Sequence, residues 1–195
     1  MLMSGCGDFV GQGISDYLKS KHVEVTPVPW RVMVNNAARY RHRTMIFNLT
    51  SHKHACADFV NYLNKNRFNV HDNTVVVIAD SRLAKLCTEL LYVEKAIVLT
   101  DKSPLRDYRR LATLASEYWS PQLFRSQKRL TDREQQVLRL LVGGYSPQEI
   151  SSLVSLSYKT IQTHKMKIIV KLGLANSAEL NKLIVRFNHR LSFLS

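Results

Sequence analysis

The strongest constraint on this chain is a run of explicit helix starts and stops between Leu130 and about Phe187. Thr131 is followed three residues later by Glu134. That is the spacing of a capping box, in which hydroxyl and carboxylate satisfy amide groups left free at a helix start. Val137, Leu138, Leu141 and Val142 then recur at helical spacing. Gly143-Gly144 ends the pattern, because glycine readily takes the left-handed conformation beyond a helix C-terminus. Ser146, with Pro147 behind it, reads as the cap and first residue of a short second helix through Ile150 and Leu153. A tight turn over Val154 to Ser157 leads into a third helix, about Tyr158 to Leu172. Elements this short and closely spaced predict a small all-α unit of three or four helices.

Helical geometry assigns faces to the third helix. Ile161, Ile168 and Leu172, at spacings of seven and four, fall on one side and are expected to pack inward. Lys159, Gln162, Thr163 and Met166 fall on the other, with Thr160 and Lys167 on the flanks. Lys165 lies near the inward edge, so its stem must snorkel outward to reach an anion. An outward face of amides, hydroxyls and lysines is what a helix needs to enter a DNA groove. Amides and hydroxyls bond base edges, and lysines neutralise phosphates.

Leu130 to about Phe187 resembles the helix-turn-helix domain of the LuxR/NarL/FixJ regulators. The resemblance rests on Leu130-Thr131-Asp132-Arg133-Glu134, Gly144, Glu149-Ile150, Lys159-Thr160-Ile161-Gln162-Thr163-His164 and Lys171-Leu172-Gly173. Within that family, Lys159-Thr160-Ile161, Lys171-Leu172-Gly173 and Asn176 are most similar to the Rcs-type response regulators. The resemblance implies a four-helix domain. Its last helix, Ser177 to Phe187 with Leu180, Leu183 and Ile184, would help dimerisation. From the outward placement on the basic third helix, Lys159, Gln162, Thr163 and Met166 are expected to contact DNA bases, with Thr160, His164, Lys165 and Lys167 near the backbone. Met166 stands where some relatives place a basic DNA-contacting residue.

Charge agrees with this assignment. The chain has 195 residues and a formal net charge of +13. Residues 128–195 hold 11 lysines and arginines against 4 carboxylates, so positive charge is denser toward the C-terminal end. Cys6, Cys56 and Cys87 form an odd set without paired spacing, which points to a reducing compartment. His52-x-His54-x-Cys56 would share one face if extended, but a surface helix is the expected reading and no metal site is assigned. No apolar run reaches the length of a membrane span and no signal core follows the N-terminus, so a cytoplasmic protein is expected.

The first 118 residues alternate short apolar runs with helical patterns. Strands are expected at Met1 to Ser4, Val23 to Val28, Thr44 to Leu49, Thr74 to Ala79 and Ala96 to Leu99. Helices are expected at Phe9 to Lys21, Val32 to Tyr40, Ala55 to Leu63, Arg82 to Tyr92, and from Pro104 to about Trp119. This alternation predicts an α/β domain with a parallel five-stranded sheet over residues 1–118, a linker at 119–129, and the all-α domain at 130–190.

Five βα units ahead of such a helix-turn-helix resemble a response-regulator receiver. A receiver binds magnesium with an acidic pair after its first strand and phosphorylates an aspartate ending its third. Gly5 and Cys6 stand at the pair, Asn48 at the acceptor, and Thr100 at the lysine after the fifth strand, or Lys102 if the loop shifts. An amide cannot form an acyl phosphate, because its nitrogen lone pair is delocalised and its oxygen is a poor nucleophile. Asp8 is nearby, where it can cap the first helix. The domain therefore reads as a pseudo-receiver without cofactor. On its fifth helix, Tyr108, Arg109 and Arg110 lie on a surface that receivers use for dimers, or simply on a solvated amphipathic helix.

The chain is expected to be a sequence-specific transcriptional regulator that binds double-stranded DNA independently of phosphorylation. It would act as a homodimer or as heterodimer partner of a related response regulator. The alternative is a regulator whose N-terminal domain senses a small molecule. No Gly-rich phosphate loop, nucleophile elbow or carboxylate dyad points to an enzyme.

Overall fold

The structure is a computed structural model that describes residues 1–50, 56–113 and 130–188. These form two compact units, residues 1–113 and residues 130–188. The expected linker, 119–129, lies outside the described residues. So do the far end of the helix expected to reach Trp119, and His52 and His54.

The first unit is a five-stranded parallel sheet: β1 Leu2–Ser4, β2 Thr26–Pro27, β3 Thr44–Asn48, β4 Thr74–Ala79 and β5 Ala96–Thr100. The strand order is β2-β1-β3-β4-β5. Helices α1 Phe9–Ser20, α2 Trp30–Asn35, α3 Cys56–Lys65 and α4 Ser81–Leu90 connect the strands, and α5 Leu105–Thr113 follows the last. β3 and most of β4 are buried whichever way a residue points, as continuous apolar runs demand in a sheet covered on both sides. Met3, Ile46, Val76, Ile78, Ile97 and Leu99 share one core with Ile14 and Leu18 of α1 and Leu111 of α5. On the alternate positions, Phe47 packs its ring 5.0 Å from that of Phe59, which in turn sits 5.6 Å from Trp30.

Three expectations need correction here. The second strand is only Thr26–Pro27, not Val23 to Val28, because it lies exposed at the sheet edge and prolines at 27 and 29 remove ladder donors. The second helix begins at Trp30 directly after Pro29 and ends at Asn35, and Ala37–Tyr40 form a separate 3₁₀ turn. Tyr108 does not lie on the surface of α5. It is 4% exposed and its hydroxyl donates to the Thr100 carbonyl at 2.8 Å. Burial, then Asp101 and Asp107, push its phenol pKa up to about 12. Arg109 and Arg110 are exposed.

The second unit holds α6 Asp132–Val142, α7 Pro147–Leu153, α8 Tyr158–Lys171 and α9 Ser177–Asn188. Its core is Leu138, Ile150, Ile161, Ile168, Leu180 and Phe187, each at most 1% exposed. Leu180 and Leu183 of α9, expected to help a dimer, instead close this core, while Ile184 is half-buried and Val185 stands outward. No helix among the described residues is long and apolar enough to cross a membrane.

Candidate nucleic-acid interface

Three successive side-chain caps position the outward face of α8. Thr131 and Glu134 form the expected capping box: the Thr131 amide donates to Glu134 Oε2 at 2.8 Å and the Glu134 amide to Thr131 Oγ1 at 3.3 Å. Ser146 and Glu149 form a second box, with the Ser146 amide donating to Glu149 Oε2 at 2.7 Å. Serine followed three residues later by glutamate is the sequence signal for it, although the expectation extended only to a cap at Ser146. Ser157 caps α8 by accepting from the Thr160 amide at 3.1 Å, and the two hydroxyls share a hydrogen bond at 2.8 Å.

A contact between distant residues then locks α8 to α6. Lys171 Nζ donates to Glu134 Oε2 at 2.7 Å, so one nearly buried carboxylate both starts α6 and anchors the last turn of α8. Burial pushes the Glu134 carboxyl up, but Lys171 and the Thr131 amide outweigh it and hold the pKa below the usual glutamate value. The stability from this link is present above the ordinary carboxylate pKa and is lost as pH falls through the lowered one. Glu134→Ala removes both bonds. Lys171 is one-third exposed and can turn to water, so the expected cost is about 1–3 kcal/mol, below that of a fully buried pair. Denaturant unfolding of the full chain measures it, and a change under about 0.5 kcal/mol contradicts the assignment.

Ile161, Ile168 and Leu172 are buried, joined by Ile169. Lys159, Thr163, Met166 and Lys167 are exposed, while Thr160, Gln162, His164 and Lys165 are half-buried. Gln162 Nε2 donates to the Tyr158 hydroxyl at 2.7 Å, which leaves the amide oxygen and a second N–H free of that bond. The Thr163 hydroxyl donates to the Lys159 carbonyl at 3.0 Å and keeps its oxygen as an acceptor. Nδ1 of His164 is enclosed without a hydrogen-bond partner among the described residues. The face thus presents two lysines, a hydroxyl acceptor, an amide and a thioether on a rigidly capped helix.

In the first unit, the ends of β1 and β3 are tied by a polar network. Asn48 is 5% exposed, and its Nδ2 donates to the Gly5 carbonyl and to Asp8 Oδ1, both at 2.9 Å. Thr50 donates to Asn48 Oδ1 through its amide at 3.1 Å and its hydroxyl at 2.7 Å. Asp8 caps α1 by accepting from the Gly11 amide at 2.6 Å. Thr100 is held apart from this network: its amide donates to Ser103 Oγ at 2.9 Å. The set does not fit a magnesium ion. One carboxylate, already holding three donors, faces an amide that turns its own N–H groups toward the same spot. Among the described residues no group of three histidines, cysteines or acids could hold a metal.

Order β2-β1-β3-β4-β5 is the flavodoxin-like order shared by receiver domains, and the second unit places a capped third helix behind a helix and turn. The two units thus have, respectively, the strand order of a receiver domain and the helix order of a helix-turn-helix domain. Residues 128–184 match the family described as "GerE: Bacterial regulatory proteins, luxR family". The match falls on the four-helix C-terminal unit, which is thus similar to luxR-family helix-turn-helix domains.

The chain is 40% identical over 57 residues to the transcriptional regulatory protein TdiR of Thauera aromatica, covering 29% of this chain and 25% of that protein. It is 36% identical over 63 residues to the response regulatory protein YgeK of Escherichia coli, covering 32% and 43%. The chain thus spans less than half the length of either relative. In fold, it is similar to RcsB in the structure of two RcsB dimers bound to two parallel DNAs. The TM-score there is 0.56 at 19% identity, over 95% of this chain and 96% of that one.

Proposed function

We propose that this protein is a sequence-specific DNA-binding transcriptional regulator that acts without aspartyl phosphorylation. The observation that carries this reading is the outward face of α8, set on a capped luxR-family scaffold. Lys159, Gln162, Thr163 and Met166 meet the base edges; Thr160, His164, Lys165 and Lys167 lie along the backbone. The division into residues 1–118, a linker at 119–129 and a DNA-binding domain at 130–190 belongs to the same reading. A single helix-turn-helix covers one half-site, so tight binding calls for a second unit about one DNA turn away. RcsB supports this by analogy, having been solved as dimers on DNA. A second copy of this chain, or a related response regulator, supplies the partner. Asn48, Gly5 and Cys6 stand where receiver chemistry needs carboxylates, so regulation comes from the partner or from the amount of protein.

Gel-shift titrations of the full chain at two salt concentrations test the reading. Gln162→Ala or Thr163→Ala is expected to relax base preference by about 1–3 kcal/mol for each good base pairing removed. Lys159→Ala or Lys167→Ala is expected to weaken binding to all sequences and to flatten its salt dependence. Binding unchanged after all four substitutions together rules out this helix as the reader.

A further inference from the structure

The sheet is wholly parallel, so the starts of β3, β4 and β5 lie along one edge, fixed by the registers Thr44↔Thr74 and Val75↔Ala96. The loops that feed these starts, 39–43, 65–73 and 91–95, are rich in cations. They bring Arg39, Arg41, Arg43, Lys65, Arg67 and Lys95 to this edge, against Asp72 and Glu94. Asn73 welds the first two loops together: its Nδ2 donates to the Tyr40 carbonyl and, at 3.1 Å, to that of Arg43. Asp72 pairs with Arg41 at 3.6 Å and with His71 at 3.1 Å. Arg39, Arg43, Lys65 and Arg67 are exposed and form no ion pair with a carboxylate among the described residues. Arg67 lies 4.5 Å over the ring of Phe68, itself 71% exposed. Among the described residues, the loops and helix starts at the opposite edge carry Asp8, Asp80 and Asp101 against Arg82 and Lys102.

Four unpaired cations on one welded rim repel one another, and their mutual field falls when a polyanion lies across them. A stiff, evenly charged strand suits such a rim, because it can meet several of these spread, exposed cations at once. We propose that the β3–β4 starting edge of the α/β domain is a second DNA-contacting surface, which holds the phosphate backbone of the duplex without reading its sequence. This inference rests on the DNA-binding reading above. It adds that both domains contribute to affinity, the helix-turn-helix alone to specificity.

The test uses the full chain and a variant carrying Arg39→Gln, Arg43→Gln and Arg67→Gln, all at exposed positions, with circular dichroism and thermal unfolding to check the fold. Binding to duplexes with and without a selected site is followed from about 50 to about 200 mM salt. The slope of log K against log salt is expected to shallow by about 0.9 for each phosphate no longer neutralised, equally on both duplexes, with the ratio of specific to non-specific affinity unchanged. A slope equal to wild type, while Lys159→Ala still shallows it, overturns the second surface and leaves the recognition helix standing. A wild-type chain that binds no duplex overturns both. Loss of binding to phosphatidylserine vesicles in the variant, with an unaltered DNA slope, reassigns the edge to a membrane and also overturns the proposal.

Discussion

Asn48→Asp is expected to destabilise the N-terminal unit by about 2–4 kcal/mol at neutral pH, although it restores the residue type a receiver uses at this position. The side chain is buried, and its amide donates to Gly5 and Asp8. An aspartate there loses both donated bonds and sets a second carboxylate against Asp8 at hydrogen-bonding distance. Like charges this close raise the pKa of the pair in the folded state, so the penalty grows as pH rises above the ordinary aspartate value of about 4 and is relieved below it. Unfolding the variant at about pH 4.5 and about pH 7.5 measures the difference, and equal losses at both would contradict the repulsion. The wild-type chain, incubated with acetyl phosphate and magnesium, is expected to keep its intact mass. An acyl phosphate mapped to an aspartate of this domain refutes phosphorylation independence.

The second large effect falls in the first turn of α1. A Cβ on Gly11 would stand 2.0 Å from the Gly5 carbonyl oxygen and 2.8 Å from Asn48 Nδ2. Neither can yield alone, since Gly5 sits at φ +76° and Asn48 is held by four hydrogen bonds. Gly11→Ala should therefore push α1 off the sheet at a cost of about 3 kcal/mol or more. That exceeds the gain of about 1 kcal/mol from alanine's better helix propensity. Gly13, two residues on, has nothing within 4 Å of the same added atom. Gly13→Ala should then show the propensity gain alone, a stabilisation of about 0.5–1 kcal/mol. Urea unfolding of the two variants side by side reads the contrast. Similar signs for both would mean that α1 does not pack this closely.

What the sequence disclosed follows the range of the interactions. Thr131 and Glu134 find each other three residues apart, so their capping box is legible and present. The apolar run Thr74 to Ala79 is wide enough to announce a buried strand, and the strand has those bounds. Asp8 is readable as a helix cap and is one. Its bond to Asn48 spans 40 residues, and that of Lys171 to Glu134 spans 37; no local pattern marks either. Tyr108 misleads for a related reason. Phenol and guanidinium look alike as candidates for a helix surface, and only the position of the Thr100 carbonyl decides that the phenol turns inward. Leu180 and Leu183 show the same ambiguity, since an apolar stripe looks identical whether it meets its own domain or another. On α8 the buried stripe and the exposed lysines match the wheel, because seven-and-four spacing fixes one face by geometry alone.

The two units also differ in how far along the chain a residue must search for its partner. In the second, three helix starts close over three residues each, at Thr131, Ser146 and Ser157. In the first, nothing resembling the sheet exists until Leu2 meets Met45 and Thr44 meets Thr74. Loops of that length must close before their contacts repay the lost chain entropy, and sheets of this kind form slowly. Ribosomal synthesis therefore delivers first the half of the molecule whose assembly waits on distant segments, and last the half whose turns nucleate almost as soon as they emerge.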